Sequence, residues 1–336
     1  MKKEIKWGII GCGGIANKFA ESTLAVDGAK VIAAASRTPG KATAFAKKHQ
    51  IENSYSDYSE LLNNREVDTV YVATTHNFHY ENTRQALLAN KPVLCEKPFT
   101  INAPEMRVLI ELAERKKLFM MEAMWTRFLP AVVQVRKWLA EDSIGSIKQI
   151  RATFGFHFPF DSEHRLFNPD LAGGAVLDAG IYPLSFANMV MKQKPIEIKA
   201  IGEIGATGVD EQSSYLLRYE SGCIALLNSA LNALTASRAE VIGTKGRITI
   251  PENFLNAQEA WLEVKDQEPI KKDFPVGNKI GFKFEIEAAS DCIRYGLLEN
   301  EIMPLSDSLQ LMEIIDEIKY QLGLVYANDK LWLPEY

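Results

Sequence analysis

The sequence predicts an α/β protein of two domains: a doubly wound parallel sheet first, then an α+β domain with a large, mostly antiparallel or mixed open sheet. Three observations predict it. Short apolar runs alternate with helix-like segments from the start of the chain to about residue 122. A glycine-rich turn follows the first apolar run directly. Beyond it, from residue 123 to 336, the strand-like stretches lengthen and cluster. A length of 336 residues also fits two cores better than one. The boundary is soft, at 120–127, and the C-terminal helix is free to return to the first domain.

In chain order, 5–10 reads as a strand, 14–25 as a helix, 30–35 as a strand and 40–49 as a helix. Strands follow at 67–73, 93–95 and 118–121, separated by helices at 81–89 and 103–117. In the last helix Met106, Leu109, Ile110 and Ala113 fall at core spacing. The second half opens with a helix at 128–140 and strands at 147–158, 196–202, 213–219, 223–231, 239–243 and 247–250. Glu220-Ser221-Gly222 is placed to turn a hairpin. Helices return at 175–191, 283–298 and 305–322.

Composition narrows the functions. Apolar residues make up 47% and charged residues 24%, as in an ordinary soluble globular protein. A net charge of −5 with scattered basic residues offers no stripe for nucleic acid or an anionic membrane. Cys12, Cys95, Cys223 and Cys292 form no CxxC, which suits reduced, buried thiols. The start MKKEIKWGIIGC resembles a cleavable leader, but Glu4 and Lys6 break the roughly 7–15 residue apolar run that a leader needs. No apolar run reaches a membrane span, so a cytoplasmic location is expected.

The first strand runs into Gly11-Cys12-Gly13-Gly14-Ile15-Ala16, a G-x-G-x-x-A turn. Gly11 turns the chain, Gly13 admits a pyrophosphate, Ala16 packs the helix on the strand, and the helix N-terminus offers N–H groups to the anion. Together with the βα alternation this is a Rossmann dinucleotide site. The second strand ends in Ser36-Arg37-Thr38, where an NAD site would carry an acid on the ribose. A guanidinium and two hydroxyls suit a 2′-phosphate, so NADP(H) is expected over NAD. Thr74, Thr75, His76 and His79 follow the strand at 67–73, on the rim where ribose and nicotinamide bind. His76 and His79 have no third ligand at a recognisable spacing, and no metal is expected.

Two further segments carry charge where the sequence is otherwise apolar. The strand at 93–95 stops at Glu96-Lys97-Pro98, on the same rim. Glu96 either orients Lys97 or meets the cofactor through its backbone. In the run 172–184, Asp178 and Tyr182 are the polar exceptions, and four residues apart they share a helix face. A lysine, a tyrosine and an aspartate converging on a nicotinamide would form a proton-transfer set.

With these motifs the chain resembles the Gfo/Idh/MocA oxidoreductases over nearly its whole length, through G-x-G-x-x-A, Glu96-Lys97-Pro98 and Gly173-Gly174-Ala175-x-x-Asp178-x-Gly180. It departs from the family's Thr-Pro-Asn-x-x-His in reading Thr74-Thr75-His76-Asn77-Phe78-His79, and it has Tyr182 where the general pattern has His. That tyrosine, the stretch from Glu122 to Phe128, and Phe154 look most like the branch of dimeric dihydrodiol dehydrogenases and NADP-dependent D-xylose dehydrogenases. The resemblance implies acid–base work by Lys97 and Tyr182 with support from Asp178. It also implies a substrate pocket lined by Trp125, Arg127, Phe154 and Tyr182, and a homodimer or dimer of dimers through the C-terminal sheet. Either Tyr182 carries the proton, its pKa of about 10 lowered by the Lys97 ammonium, or Lys97 is itself the base; the first is preferred. The expected reaction moves a hydride between NADP(H) and a sugar, polyol or trans-dihydrodiol. The alternatives are a reductase of a dicarbonyl or keto-sugar and a non-catalytic NADP(H) sensor.

Overall fold

The structure, a computed structural model, describes residues 3–275 and 281–332. Of these, 3–100, 104–125 and 281–308 form one compact unit, and 101–103, 126–275 and 309–332 form a second.

The first unit alternates strand and helix: β1 (Ile5–Ile10), α1 (Gly14–Thr23), β2 (Ala29–Ala35), α2 (Lys41–His49), β3 (Asn53–Tyr55) and α3 (Tyr58–Asn63). Then come β4 (Thr69–Val72), α4 (His79–Leu88), β5 (Val93–Glu96), α5 (Ala103–Lys116) and β6 (Met120–Ala123). All strands are parallel, in the order β3-β2-β1-β4-β5-β6. Because helices cover both faces of such a sheet, β4, β5 and β6 are buried at every position, which explains their unbroken apolar runs. The strand order reverses between β1 and β4, where doubly wound sheets open a crevice at their carboxyl ends. Beneath it Trp7 is fully buried, its indole N–H donating to Ser290 Oγ at 3.2 Å. Phe19 lies between, edge-on to Trp7 and stacked on Tyr71 at 3.9 Å.

The second unit opens with α6 (Pro130–Ala140), where Pro130 starts the helix at a position needing no N–H donor. It continues through β7 (Ile147–Gly155), α7 (Ile181–Met191), β8 (Glu197–Ile204), β9 (Asp210–Arg218), β10 (Ile224–Ala230) and β11 (Ala239–Gly243). Its last strands are β12 (Gly246–Ile250), β13 (Glu259–Val264) and β14 (Ile270–Asp273). These eight strands form one mixed sheet, β14-β13-β12-β11-β7-β10-β9-β8, antiparallel except for the β7–β10 pair. The β9–β10 hairpin turns at Gly222, whose φ of +80° favours glycine. Strand β9 alternates strictly, with Ser213, Tyr215 and Leu217 buried between exposed neighbours, so one face of the sheet is covered. The helix α7 lies on that covered face and is buried from Ile181 to Val190, as its all-round apolar sequence requires.

Two more helices complete the chain, α8 (Lys283–Arg294) against α1 and β1, and α9 (Leu305–Leu322). The predicted helix over 283–298 ends earlier, at Arg294, before Gly296 takes φ +70°. Four elements were not predicted: β3 is three residues long, α3 six, β13 is only partly buried, and β14 is exposed throughout. All four cysteines are buried and free. Among the described residues, no helix is long and apolar enough to cross a membrane.

Candidate active site

The first strand delivers its glycine turn to the crevice. Gly11 holds φ +95°, and a Cβ there would stand 2.7 Å from the Ala73 carbonyl oxygen, so only glycine fits. Its N–H donates to Ala35 O at 2.9 Å, and the Ala73 N–H donates to Ile10 O at 2.8 Å, which fixes the turn between the ends of β2 and β4. The next two glycines differ. A Cβ on Gly13 would come no nearer than 4.0 Å to Ala73 O, and one on Gly14 would meet nothing within 4 Å. No side chain caps α1 at Gly13, and no acid lies in its first turn. Ala16 is fully buried, and Ile15 half-buried. The turn therefore leaves a small-residue cradle open at a helix N-terminus, and these residues fit the pyrophosphate of a dinucleotide. Cys12 in the turn is no nucleophile, since burial pushes its thiol up to about 11.

At the end of β2, Ser36 is buried and its hydroxyl accepts from the Thr38 N–H at 3.3 Å. The exposed Arg37 guanidinium lies between two rings, 5.2 Å from the centre of Tyr58 and 4.6 Å from that of Phe78. These three residues join Asp57, Asn82 and Gln85 in lining a cleft of about 670 Å³. Asp57 faces inward to its own helix: it accepts from the Ser59 hydroxyl and amide, which holds its carboxyl below the usual range.

The loops after β4 and β5 are tied together by His79. This ring is fully buried, with Nδ1 2.7 Å from Pro98 O and Nε2 3.0 Å from Thr74 O. The expectation that it contacts the cofactor gives way to a positioning role, because both ring nitrogens already face backbone carbonyls. Thr74 Oγ1 accepts from Asn82 Nδ2 at 3.1 Å, Thr75 Oγ1 donates to Asn77 at 2.8 Å, and His76 is buried beside His79. Next to them the Lys97–Pro98 peptide bond is cis. Glu96 is almost fully buried and accepts from the Tyr71 hydroxyl and from the Lys97 N–H at 3.2 Å. After β6, Trp125 stacks on Phe282 with ring centres 4.7 Å apart.

In the second unit, Asp178 and Tyr182 sit on a segment that departs from the regular helix expected over 175–191. Val176–Gly180 is a π-helical turn that leads into α7. Its i→i+5 bonding fits more residues into the turn than a regular helix does, and two residues four apart, Asp178 and Tyr182, still fall near one face. Its N-terminus is closed by Asp210 of β9, whose Oδ2 accepts from the Val176 N–H at 2.9 Å and from Ser213 Oγ at 2.6 Å. Burial pushes the Asp210 carboxyl up to about 6. Gly180 lies so close to the Tyr215–Ser229 hydroxyl pair that a Cβ would stand 2.6 Å from Tyr215.

Around this turn, Asp178 is almost fully buried and accepts from Arg165 Nη1 at 2.8 Å. Tyr182 meets Phe154 edge-on at 5.6 Å, and both are covered or half-covered. Arg127, expected to line the substrate pocket, is 2% exposed and donates to Ser185 Oγ at 3.0 Å and Ser185 O at 3.1 Å. It is a brace under α7, since a buried guanidinium must satisfy its donors with protein groups. Arg165, Asp210 and Phe282 went unread in the sequence. Arg165 acts on Asp178 across 13 residues and Asp210 on Val176 across 34, and Phe282 stands in a plain apolar context, so no local spacing marks them.

Comparison with known proteins bears on the whole chain. Residues 5–124 match the family model described as "Oxidoreductase family, NAD-binding Rossmann fold", and 132–249 match the GFO/IDH/MocA C-terminal domain. A trans-1,2-dihydrobenzene-1,2-diol dehydrogenase from Xenopus laevis is 37% identical over 332 residues, 96% of this chain and 99% of the relative. A 3-ketoreductase from Actinomadura kijaniata, solved with NADP and TDP-benzene, is 26% identical with a TM-score of 0.83 over 95% of this chain and 98% of its own. Levoglucosan dehydrogenase, solved with NADH and levoglucosan, shares the fold at a TM-score of 0.88 and 20% identity, over 96% of this chain and 98% of its own. The chain belongs to the Gfo/Idh/MocA family of oxidoreductases.

Proposed function

We propose that the chain moves a hydride between NADP(H) and a CH–OH or C=O carbon of a sugar, polyol or trans-dihydrodiol. The observation that carries this reading is the glycine turn: Gly13 and Gly14 face open space at an uncapped helix start. The phosphate preference rests on the end of β2, where Arg37, Ser36 and Thr38 stand in place of an acid. A relative named for a trans-dihydrodiol and a neighbour named as a 3-ketoreductase support the substrate class.

When bound, the nicotinamide accepts or gives the hydride. The chain does the rest. Backbone N–H groups of the turn hold the pyrophosphate, and Thr74, Thr75 and His76 line the rim beside them. Tyr182 carries the hydroxyl proton, Lys97 is the cation that eases its loss, and Asp178 supports Tyr182. Trp125 and Phe154 present ring faces to the substrate's apolar side, while Arg127 and His79 position the elements that carry the others.

A homodimer formed through the second unit's sheet belongs to the same reading. Leu216 of β9 and Leu226 of β10 are cross-strand partners, 49% and 39% exposed, with Ile224 and Ile201 exposed nearby on the uncovered face. Light scattering should give twice the chain mass, reduced to one mass by Leu216→Glu.

The test of function is a panel of pentoses, hexoses, polyols and diols with NADP⁺ or NAD⁺, read by reduced-nicotinamide absorbance. Tyr182→Phe should lower kcat by about 100-fold or more while cofactor affinity stays within about twofold. Tight NADPH binding with no turnover anywhere in the panel overturns the reading.

A further inference from the structure

Within the first unit, β5 ends on one buried carboxyl group, Glu96, and α8 brings a second to the same region. Glu285 stands in the first turn of α8, is 0% exposed, and neither of its oxygens has a hydrogen-bond partner among the described residues. An ionised carboxylate in that state is costly, since nothing replaces the water it has lost. Burial pushes the Glu285 carboxyl well above its usual range, and the Glu96 charge pushes further. The Tyr71 phenol is raised as well, by burial first and then by Glu96 and Glu285. Geometry joins them: Ser290 of α8 holds Trp7, Trp7 packs edge-on against Phe19, Phe19 stacks on Tyr71, and the Tyr71 hydroxyl donates to Glu96.

Their surroundings are unequal. Burial also raises the Glu96 carboxyl, and the Glu122 charge on β6 adds a little, but the Tyr71 hydroxyl, the Lys97 ammonium and the Lys97 N–H all oppose that rise. Glu285 has no such support. Of the elements packed against α8, α1 offers Lys18, 5.9 Å over the Phe282 ring, and β1 offers Trp7, bonded to Ser290. On α8 itself Glu287 is exposed and Asp291 pairs with Arg294. None of these hydrogen-bonds to Glu285.

We propose that Glu96 and Glu285 are a divided carboxyl pair: Glu96, ionised, is the positioning residue that holds and charges Lys97, while Glu285 stays a neutral acid. Two buried carboxyl groups in unlike surroundings then take two roles, and Lys97 meets one negative charge rather than two. A second negative charge would offset the cation that the proposed reaction uses. The inference rests on the reading of Lys97 as a working group, but its test needs neither substrate nor turnover.

The purified chain, its lysines reductively methylated with ¹³C, gives the Lys97 titration by NMR, assigned with Lys97→Arg. Glu96→Gln should raise the neutral-amine fraction of Lys97 at a given pH by about three- to tenfold. Glu285→Gln should leave that titration in place. In infrared spectra at neutral pH, Glu285→Gln should abolish one carboxylic-acid C=O band that shifts in D₂O. Tyr71→Phe, which removes only a donor to Glu96, should move Lys97 part of the way and serves if Glu96→Gln does not fold. The proposal is overturned if Glu285→Gln moves Lys97 as far as Glu96→Gln does, if it abolishes no acid band, or if neither Glu96→Gln nor Tyr71→Phe moves Lys97. Absence of turnover in the substrate panel would leave these readouts untouched, so the two readings fail separately.

Discussion

Two glycine-rich stretches each open a helix, and they use it in opposite ways. Before α1, Gly11 is forced by its own backbone, while Gly13 and Gly14 look into open space and nothing caps the helix. Before the π turn, Gly173 and Gly174 are both crowded, and Asp210 from β9 closes the helix start. A helix N-terminus attracts negative charge in either case. The first leaves that attraction for a ligand; the second satisfies it with the protein's own carboxylate. Identical residue types thus mark a binding surface in one place and a packed joint in the other, and neighbouring atoms decide which.

The sharpest way to break this contrast is to add one methyl group at each site. Gly174 has φ +111°, and a Cβ would stand 2.5 Å from Asp210 Oδ1 and 2.9 Å from the Tyr326 hydroxyl. Gly174→Ala should cost about 3 kcal/mol or more, from backbone strain and overpacking together, and lower the melting temperature accordingly. Gly14→Ala should change stability by no more than about 0.5 kcal/mol, yet weaken NADPH binding measurably. Equal melting temperatures for the two variants would erase the distinction. Gly180→Ala falls between them, at about 1–3 kcal/mol, because its Cβ would press on a hydroxyl pair that can shift slightly.

The protein's own cap adds a pH dependence that an open helix start lacks. Asp210 titrates at about 6 in the fold, raised by burial from an ordinary value near 4. The folded state therefore binds the proton more tightly than the unfolded chain. Its contribution is fully present below about pH 4 and is lost as pH rises through about 6, by up to about 3 kcal/mol. Asp210→Asn keeps an acceptor for the Val176 N–H without the charge. Denaturant unfolding between pH 4 and pH 7 should show a downward slope in the wild type that is clearly shallower in Asp210→Asn. Parallel curves for both proteins would mean that Asp210 is not the group responsible.

How far the sequence could be read follows the same division. The first unit was legible because its signals are local: β1, the turn and α1 are contiguous, and buried parallel strands leave unbroken apolar runs. The short β3 and α3 escaped, since Asn53-Ser54-Tyr55 has no apolar period. In the second unit the sheet was legible as a mixed one, but the π turn was not. Its cause is non-local: Gly180 is fitted to hydroxyls on β9 and β10, 35 and 49 residues away, and its cap comes from Asp210. Arg127 and His79 illustrate the converse. Their residue types invite a ligand, and only burial shows their donors engaged with backbone and serine oxygens.

The finest probe of the contrast is at Arg165. Its side chain is 45% exposed while the carboxylate it meets, Asp178, is 7% exposed. Solvent screening around the guanidinium keeps the pair's contribution small, so Arg165→Gln should alter unfolding free energy by less than about 1 kcal/mol. The consequence for Asp178 is different in kind. It loses a charged donor on the turn that carries Tyr182, and in the proposed reaction that turn must hold its geometry while a proton moves. Arg165→Gln should therefore lower kcat several-fold with KM for NADPH unchanged, and Arg165→Lys should recover part of the loss. If unfolding and kcat fall together, the arginine is a structural tie like Arg127, and the second glycine-rich joint is rigid without help from its exposed side.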